Sequence, residues 1–296
     1  MPFLAILQHD LRTLAASWLV RLWLAASALL TLILTLSHWN DFSTPVLVAS
    51  LLFPYLVFPW FLVVMVLGVG PVSATRTESL ADGILSRPVT RYEYLLASWS
   101  SRVVLVLGAY LLVVLPAIAV LALANRPAPG DAATAYGVLG ALGATALVMI
   151  FQVSLAFLLG TVLQKPLLAV VLLMFIWYPI NGVLSVFSLE EFSPISLNQA
   201  LPTLLRQPWH EVEEDPQQAA TDEELAALSR QAAHFLKVLS GGAPTRGSEQ
   251  PVEQKPTFFD HAEYADFSLA NVLLGYGIPT LAAVALATLC FCLRDL

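Results

Sequence analysis

The chain has 296 residues, of which 58% are hydrophobic and 12% charged, with a mean hydropathy of +0.76 and a formal net charge of −7. So apolar a composition excludes one or two ordinary soluble domains, and the acidic balance argues against a nucleic-acid partner. The apolar residues come in long unbroken runs rather than in alternation with polar ones, which excludes an outer-membrane β-barrel.

The first seventeen residues carry Leu4, Leu7, Leu11 and Leu14 at helical spacing, with Gln8, Asp10 and Arg12 off that face. This pattern predicts an interfacial helix on the membrane surface. Six apolar runs follow, at residues 18–36, 46–70, 103–124, 135–163, 167–187 and 269–293. Each approaches or exceeds the roughly 20 residues needed to cross a bilayer as a helix. The first run is too long for a signal-peptide core and ends without a clear cleavage motif, so it reads as an uncleaved span. The expected fold is therefore an all-α membrane protein with six transmembrane helices.

Few polar groups lie inside these spans. Arg21 sits near one end of the first and can snorkel to the interface. Gln152 and Asn181 are expected to form interhelical hydrogen bonds, and Gly137, Gly140 and Gly143 to let the fourth span approach its neighbours closely. Pro54, Pro59, Pro116 and Pro179 should kink or break their spans. Buried carboxylates of the kind that carry protons or sodium ions through a transporter are missing from the runs.

Orientation follows from Lys and Arg in the short connections. With the N-terminus inside, the cytosolic segments hold Arg12, Arg21, Arg76, Arg87, Arg91, Arg102, Lys165 and Arg294, while the two short outer loops hold Arg126. Both termini are thus expected in the cytosol. The chain then divides into residues 1–187 (interfacial helix and spans one to five), an acidic extracytoplasmic insertion at 188–268, and residues 269–296 (span six and a cytosolic tail). The insertion holds fourteen acidic residues against Arg206, Arg230, Lys237, Arg246 and Lys255, a net of −9. Within it, "FSPISLNQALPTLL" predicts one or two short helices above the fifth span. "TDEELAALSRQAAHFLKVLS" opens with a capping box of Thr221 and Glu224, followed by an apolar stripe at Leu225, Leu228, Ala232, Phe235, Leu236 and Leu239. "GGAPTRGSEQPVEQKP" has the composition of a linker.

The sequence carries no Walker A pattern, and none of its three lysines follows a glycine, so nucleotide binding of the P-loop kind is not expected in this chain. The five histidines do not pair with one another or with cysteine at metal-ligand spacing. Cys290 and Cys292, two apart on a helix, point to different sides and cannot bridge each other. No Ser/His or paired-Asp arrangement lies in the spans. These observations leave no catalytic, cofactor or metal residues to nominate.

Charge concentrates instead between the second and third spans, where "ILSRPVTRYEYLLASWSSR" covers residues 84–102. Thr90 and Glu93 form a capping box that starts a helix at Arg91, and Pro88 ends whatever precedes it. Tyr92, Leu95, Leu96 and Trp99 then fall on one stripe, while Arg76, Glu78, Asp82 and Arg87 decorate a short helical piece upstream. The pattern predicts a cytosolic helix, a break and a second helix. Its apolar face suits either the membrane interface or a protein partner.

The run "ESLADGILSRPVTRYEYLLAS", placed after a second span, resembles the cytosolic loop of type-2 ABC exporter permeases. The residues that carry the resemblance are Asp82, Leu85, Ser86, Arg87, Pro88, Val89, Thr90 and Arg91. It extends to the N-terminal surface helix, to "FSPISLNQAL" and to the closing "FCLRDL". The match departs at Thr75–Arg76, where the family has a Glu-Arg pair, at Ser79–Leu80, where it has Gly-Thr, and in the length of the outer insertion.

The resemblance implies a bacterial inner-membrane permease that has no nucleotide site of its own. It would work with a separate ABC ATPase, which supplies the ATP and Mg site, and with a second permease copy in a homodimer. The loop 71–102 would be the coupling segment, with Arg76, Glu78, Asp82, Arg87, Pro88, Thr90, Arg91, Tyr92, Glu93 and Leu95 as its contact residues. The absence of charge in the spans suits an apolar or amphipathic cargo such as a lipid, drug or peptide, with membrane lipids as the surrounding partners. The main alternative is a membrane subunit that anchors or regulates a periplasmic protein through its acidic domain. A bare anchor and an intramembrane enzyme are the remaining readings.

Overall fold

The computed structural model describes residues 2–69, 90–124, 133–163, 165–186, 193–206 and 268–293. All regular structure among them is helical: α1 (Pro2–Ala16), α2 (Trp18–Ser37), α3 (Thr44–Leu56), α4 (Trp60–Val69), α5 (Arg91–Leu123), α6 (Ala135–Leu163), α7 (Pro166–Val186), α8 (Pro194–Arg206) and α9 (Leu269–Cys292). Six spans are long and apolar enough to cross a membrane, with α3 and α4 together forming the second. The chain is a multi-pass helical membrane protein.

The spans are not equivalent. The second and fourth are about half buried within the protein, whereas the other four turn most of their surface outward. Leu29 and Leu32 on α2, Phe175 and Ile180 on α7, and Leu281 on α9 are among the exposed apolar side chains. Lipid tails solvate such residues, so their exposure carries no penalty in a bilayer. Helix α6 is the hub, packing against α3, α4, α5, α7, α8 and α9.

Small residues set the closest approach at the hub. A Cβ built on Gly160 would lie 2.4 Å from the Val69 carbonyl oxygen, and one on Gly68 2.6 Å from the Ala156 Cβ. The last turn of α4 is therefore pressed backbone to backbone on α6. At the opposite end of α6, a Cβ on Gly137 would meet the backbone of Leu204 and Leu205 at 2.5 Å. Of the three glycines singled out by sequence, Gly137 and Gly140 do pack closely, while Gly143 has nothing within 4 Å.

Helix α8 comes from the segment expected to hold short helices above the fifth span. It is more deeply placed than that expectation implied, packing on α3, α6 and α7 with Leu197, Ala200, Leu201, Leu204 and Leu205 buried. Thr134, just before α6, donates its backbone N–H to the Leu205 carbonyl at 2.9 Å. Its hydroxyl oxygen accepts from Gly137 N–H at 3.0 Å, capping α6.

The prolines divide into two kinds. Pro59 separates α3 from α4, as a residue without an N–H should. Pro54, Pro116 and Pro179 lie inside continuous helices. Neighbouring helices and local adjustment accommodate such prolines within membranes.

Two sequence expectations need correction. The helix expected at 91–102 is not separate from the third span, because α5 runs unbroken from Arg91 to Leu123. Neither Pro nor Gly occurs between Arg91 and Leu107, so nothing in the chain interrupts it. On α1, Leu11 and Leu14 pack against the core along α5, while Leu4 is exposed. Asn181 makes no interhelical bond from its side chain, whose Nδ2 donates to Trp177 O at 2.8 Å within the same helix. Gln152 is fully buried with both amide atoms unpartnered.

Candidate functional site

The candidate site is the end of the bundle where α4 ends, α5 begins and α1 lies along α5. Its local structure starts with Thr90. Both the backbone N–H and the hydroxyl of Thr90 donate to one Glu93 carboxylate oxygen, at 3.2 and 2.8 Å. That carboxylate also sits in the first turn of α5, where the helix dipole favours negative charge. The helix begins at Arg91, as the capping box predicts. At 33 residues it is roughly 50 Å long, against a hydrocarbon core of about 30 Å. A helix of that length can carry a displacement at its first turn into the membrane without a joint.

The apolar stripe of this helix is mostly used inside the protein. Leu95, 1% exposed, packs with Phe157 of α6 and with Ala287 and Phe291 of α9. Tyr94 lies beside Phe291 with ring centroids 6.4 Å apart. One turn on, the Trp99 indole N–H donates to Ser154 Oγ of α6 at 3.0 Å. Tyr92, by contrast, is 51% exposed. Of the residues expected to meet a partner, Tyr92 thus presents its ring outward while Leu95 belongs to the bundle. Arg76, Glu78, Asp82, Arg87 and Pro88 lie outside the described residues.

The strongest electrostatic feature was not foreseen. Arg102, read from sequence as a charge in the cytosolic connection, is 5% exposed and points between helices. Its Nε–H donates to the Leu67 carbonyl of α4 at 2.9 Å. Its Nη1 donates to the Ser98 carbonyl at 3.0 Å and to Ser98 Oγ at 3.1 Å. Asp10 of α1 lies within electrostatic reach of the guanidinium. Leu67 is in the last described turn of α4. The planar fork of arginine lets one side chain bond Leu67 and Ser98 together.

Arg102 therefore ties together the two helices that flank the segment 70–89, with the charge of Asp10 on the N-terminal helix within electrostatic reach. The end of α4 is in turn held on α6 at Gly160 and Gly68. Chemically the arrangement is a mechanical junction. Among the described residues no group of three or more His, Cys, Asp or Glu could hold a metal ion. Neither Cys290 nor Cys292 forms a disulfide, and both are exposed.

No family model, curated protein or solved structure matches this chain.

Proposed function

We propose that this chain is the permease subunit of an ATP-binding-cassette exporter, driven by a separate ATPase that docks on the face formed by α1, the end of α4 and the start of α5. The observation that carries the reading is the junction at Arg102. A soluble partner engaging residues 70–92 would push on two helices that a buried cation binds into one unit, and the rigid contact between α4 and α6 would pass the push to the hub of the bundle.

Three further points support it. The run Ser86-Arg87-Pro88-Val89-Thr90-Arg91 leads into a stiff, capped helix that continues as a span. Arg12, Arg21, Arg102 and Lys165 lie on segments at this same face, which the positive-inside rule puts in the cytosol where an ATPase would reside. The spans carry few charged residues, which suits an apolar or amphipathic cargo. The proposed setting is a bacterial inner membrane, with a second permease copy completing the transporter and Mg and ATP bound by the partner ATPase.

The test is site-specific photo-crosslinking from position 92 in native membranes. The reading expects a crosslinked product containing a P-loop ATPase, and it fails if the probe at 92 captures lipid or no protein at all. The acidic insertion, most of which lies outside the described residues, motivates the alternative of a membrane subunit that holds a periplasmic protein. That alternative expects crosslinks from 210–215, in the run of Glu211, Glu213, Glu214 and Asp215, and none from 92.

A further inference from the structure

We propose that Ser27, Thr31, Tyr55, Tyr110 and Thr145 enclose an internal water site beside the break in the second span. Four helices supply these side chains. Ser27 and Thr31 are one turn apart on α2, Tyr55 is at the end of α3, Tyr110 is midway along α5, and Thr145 is on α6. All five are buried, with Tyr110 and Thr145 at 0% and Tyr55 at 1% exposure. The Tyr55 and Tyr110 rings meet edge to face, 5.0 Å between centroids. Ser27 and Thr31 lie beside the Tyr55 hydroxyl, and Thr145 beside that of Tyr110.

Yet these approaches fall outside hydrogen-bonding distance or angle, so the Tyr55 and Tyr110 hydroxyls and Thr145 Oγ1 close no well-formed bond to a protein atom. Three unpartnered hydroxyls at one place in a membrane core are an unfavourable arrangement if the place is dry. Ser27 already donates to the Leu24 carbonyl at 3.1 Å, so it is left with acceptor capacity rather than a proton to give to Tyr55. The tyrosines, in contrast, each have a donor to offer.

The break leaves a backbone acceptor on the same residue as one of these hydroxyls. Pro59 has no N–H, so the Tyr55 carbonyl receives no helical bond from four residues ahead, and α3 stops at Leu56. An oxygen that both donates and accepts, set among several such groups, meets the requirement of two to four partners for a buried water. The five side chains bring hydroxyls and no charge, which suits a neutral occupant rather than an ion. On α6 the same face continues, seven residues beyond Thr145, to Gln152, whose amide is also buried and unpartnered. A broken helix with water at the break has hydrogen bonds it can exchange, and this allows α3 and α4 to change their mutual angle without stranding polar groups.

X-ray hydroxyl-radical footprinting of the intact chain in lipid nanodiscs tests the site, because a bound water is itself the radical source and labels the side chain beside it. After correction for intrinsic reactivity, Tyr55 and Tyr110 are expected to be labelled at least several-fold faster than Phe61 and Met65. Those two are equally buried but sit in an apolar cluster with Val69, Ala156 and Leu173. Equal labelling of the four would overturn the proposal, showing a dry cluster or a bundle open throughout. In Thr145→Val, labelling of Tyr110 should fall several-fold with Phe61 and Met65 unchanged, and an unaltered Tyr110 would remove Thr145 from the site. A variant that fails to fold would label all four residues together, and the wild-type comparison would then decide alone.

Discussion

Replacing Arg102 by methionine is the most informative single perturbation of the junction. Methionine fills much of the volume of the arginine stem but donates nothing. The Leu67 carbonyl at the end of α4 would lose the arginine donor while remaining enclosed. Leaving a buried acceptor unpaired costs about 1–3 kcal/mol. The bonds to Ser98 O and Oγ go as well, and a hydrogen bond to a charged group is worth about 1.5–3 kcal/mol. Deleting the guanidinium also removes its own desolvation penalty, so the net is placed at about 3 kcal/mol. For a protein of this size about 1 kcal/mol corresponds to 2–4 °C in Tm, which gives a fall of roughly 6–12 °C. Thermal unfolding followed by intrinsic tryptophan fluorescence in mild detergent reads this directly. Arg102→Lys should recover less than half of the loss, because an ammonium cannot span Leu67 and Ser98 as the fork does. A fall of under roughly 2 °C for Arg102→Met, on the same scale, would show that the charge does not hold α4 to α5.

Tyr92→Asp should leave Tm within roughly 2 °C of wild type, since its ring is exposed, yet abolish association with an ATPase in a pull-down. Leu95→Asp should instead lower the yield of folded protein sharply, because it places a carboxylate among Phe157, Ala287 and Phe291, as size-exclusion profiles would show. Gly160→Ala should destabilise by about 1–3 kcal/mol by forcing α4 away from α6. Gly143→Ala, with open space around it, should stay within about 1 kcal/mol of wild type in the same melt. Trp99→Phe should remove the bond to Ser154 and cost about 1 kcal/mol, and Ser154→Ala should add little on top of it.

The spans were legible because their signal is local: a long apolar run needs no tertiary information to be recognised. The start of α5 was equally local, since Thr90 and Glu93 are three residues apart and cap the helix within one turn. The unbroken continuation of α5 into the membrane was also readable, as no Pro or Gly interrupts residues 91–107. The change from an amphipathic to an apolar pattern near Val103 invited a boundary that the backbone has no reason to make.

The burial of Arg102 was harder to see. An arginine at the edge of an apolar run ordinarily snorkels. Only the approach of Leu67, thirty-five residues away, converts it into a staple. The one hint is the spacing of Leu95, Ser98, Arg102 and Leu105, which puts a small hydroxyl residue and a cation on the buried stripe. The packing of Leu95 was hidden for a related reason. An amphipathic stripe shows that a face is buried but not against what, and here α6 and α9 cover it. The internal hydroxyls were invisible for the same cause, since Ser27, Tyr55, Tyr110 and Thr145 meet only when four helices converge.

The account stands or falls on whether a soluble ATPase works through the face at α1, α4 and α5. The most direct measurement is purification of the tagged chain from its native membrane in mild detergent, followed by an ATP hydrolysis assay on the eluate. A co-purifying P-loop ATPase is expected, its recovery lost in Tyr92→Asp while the chain itself remains in the membrane. A chain that elutes without any nucleotide-hydrolysing partner, or whose partner is retained by Tyr92→Asp, would contradict it.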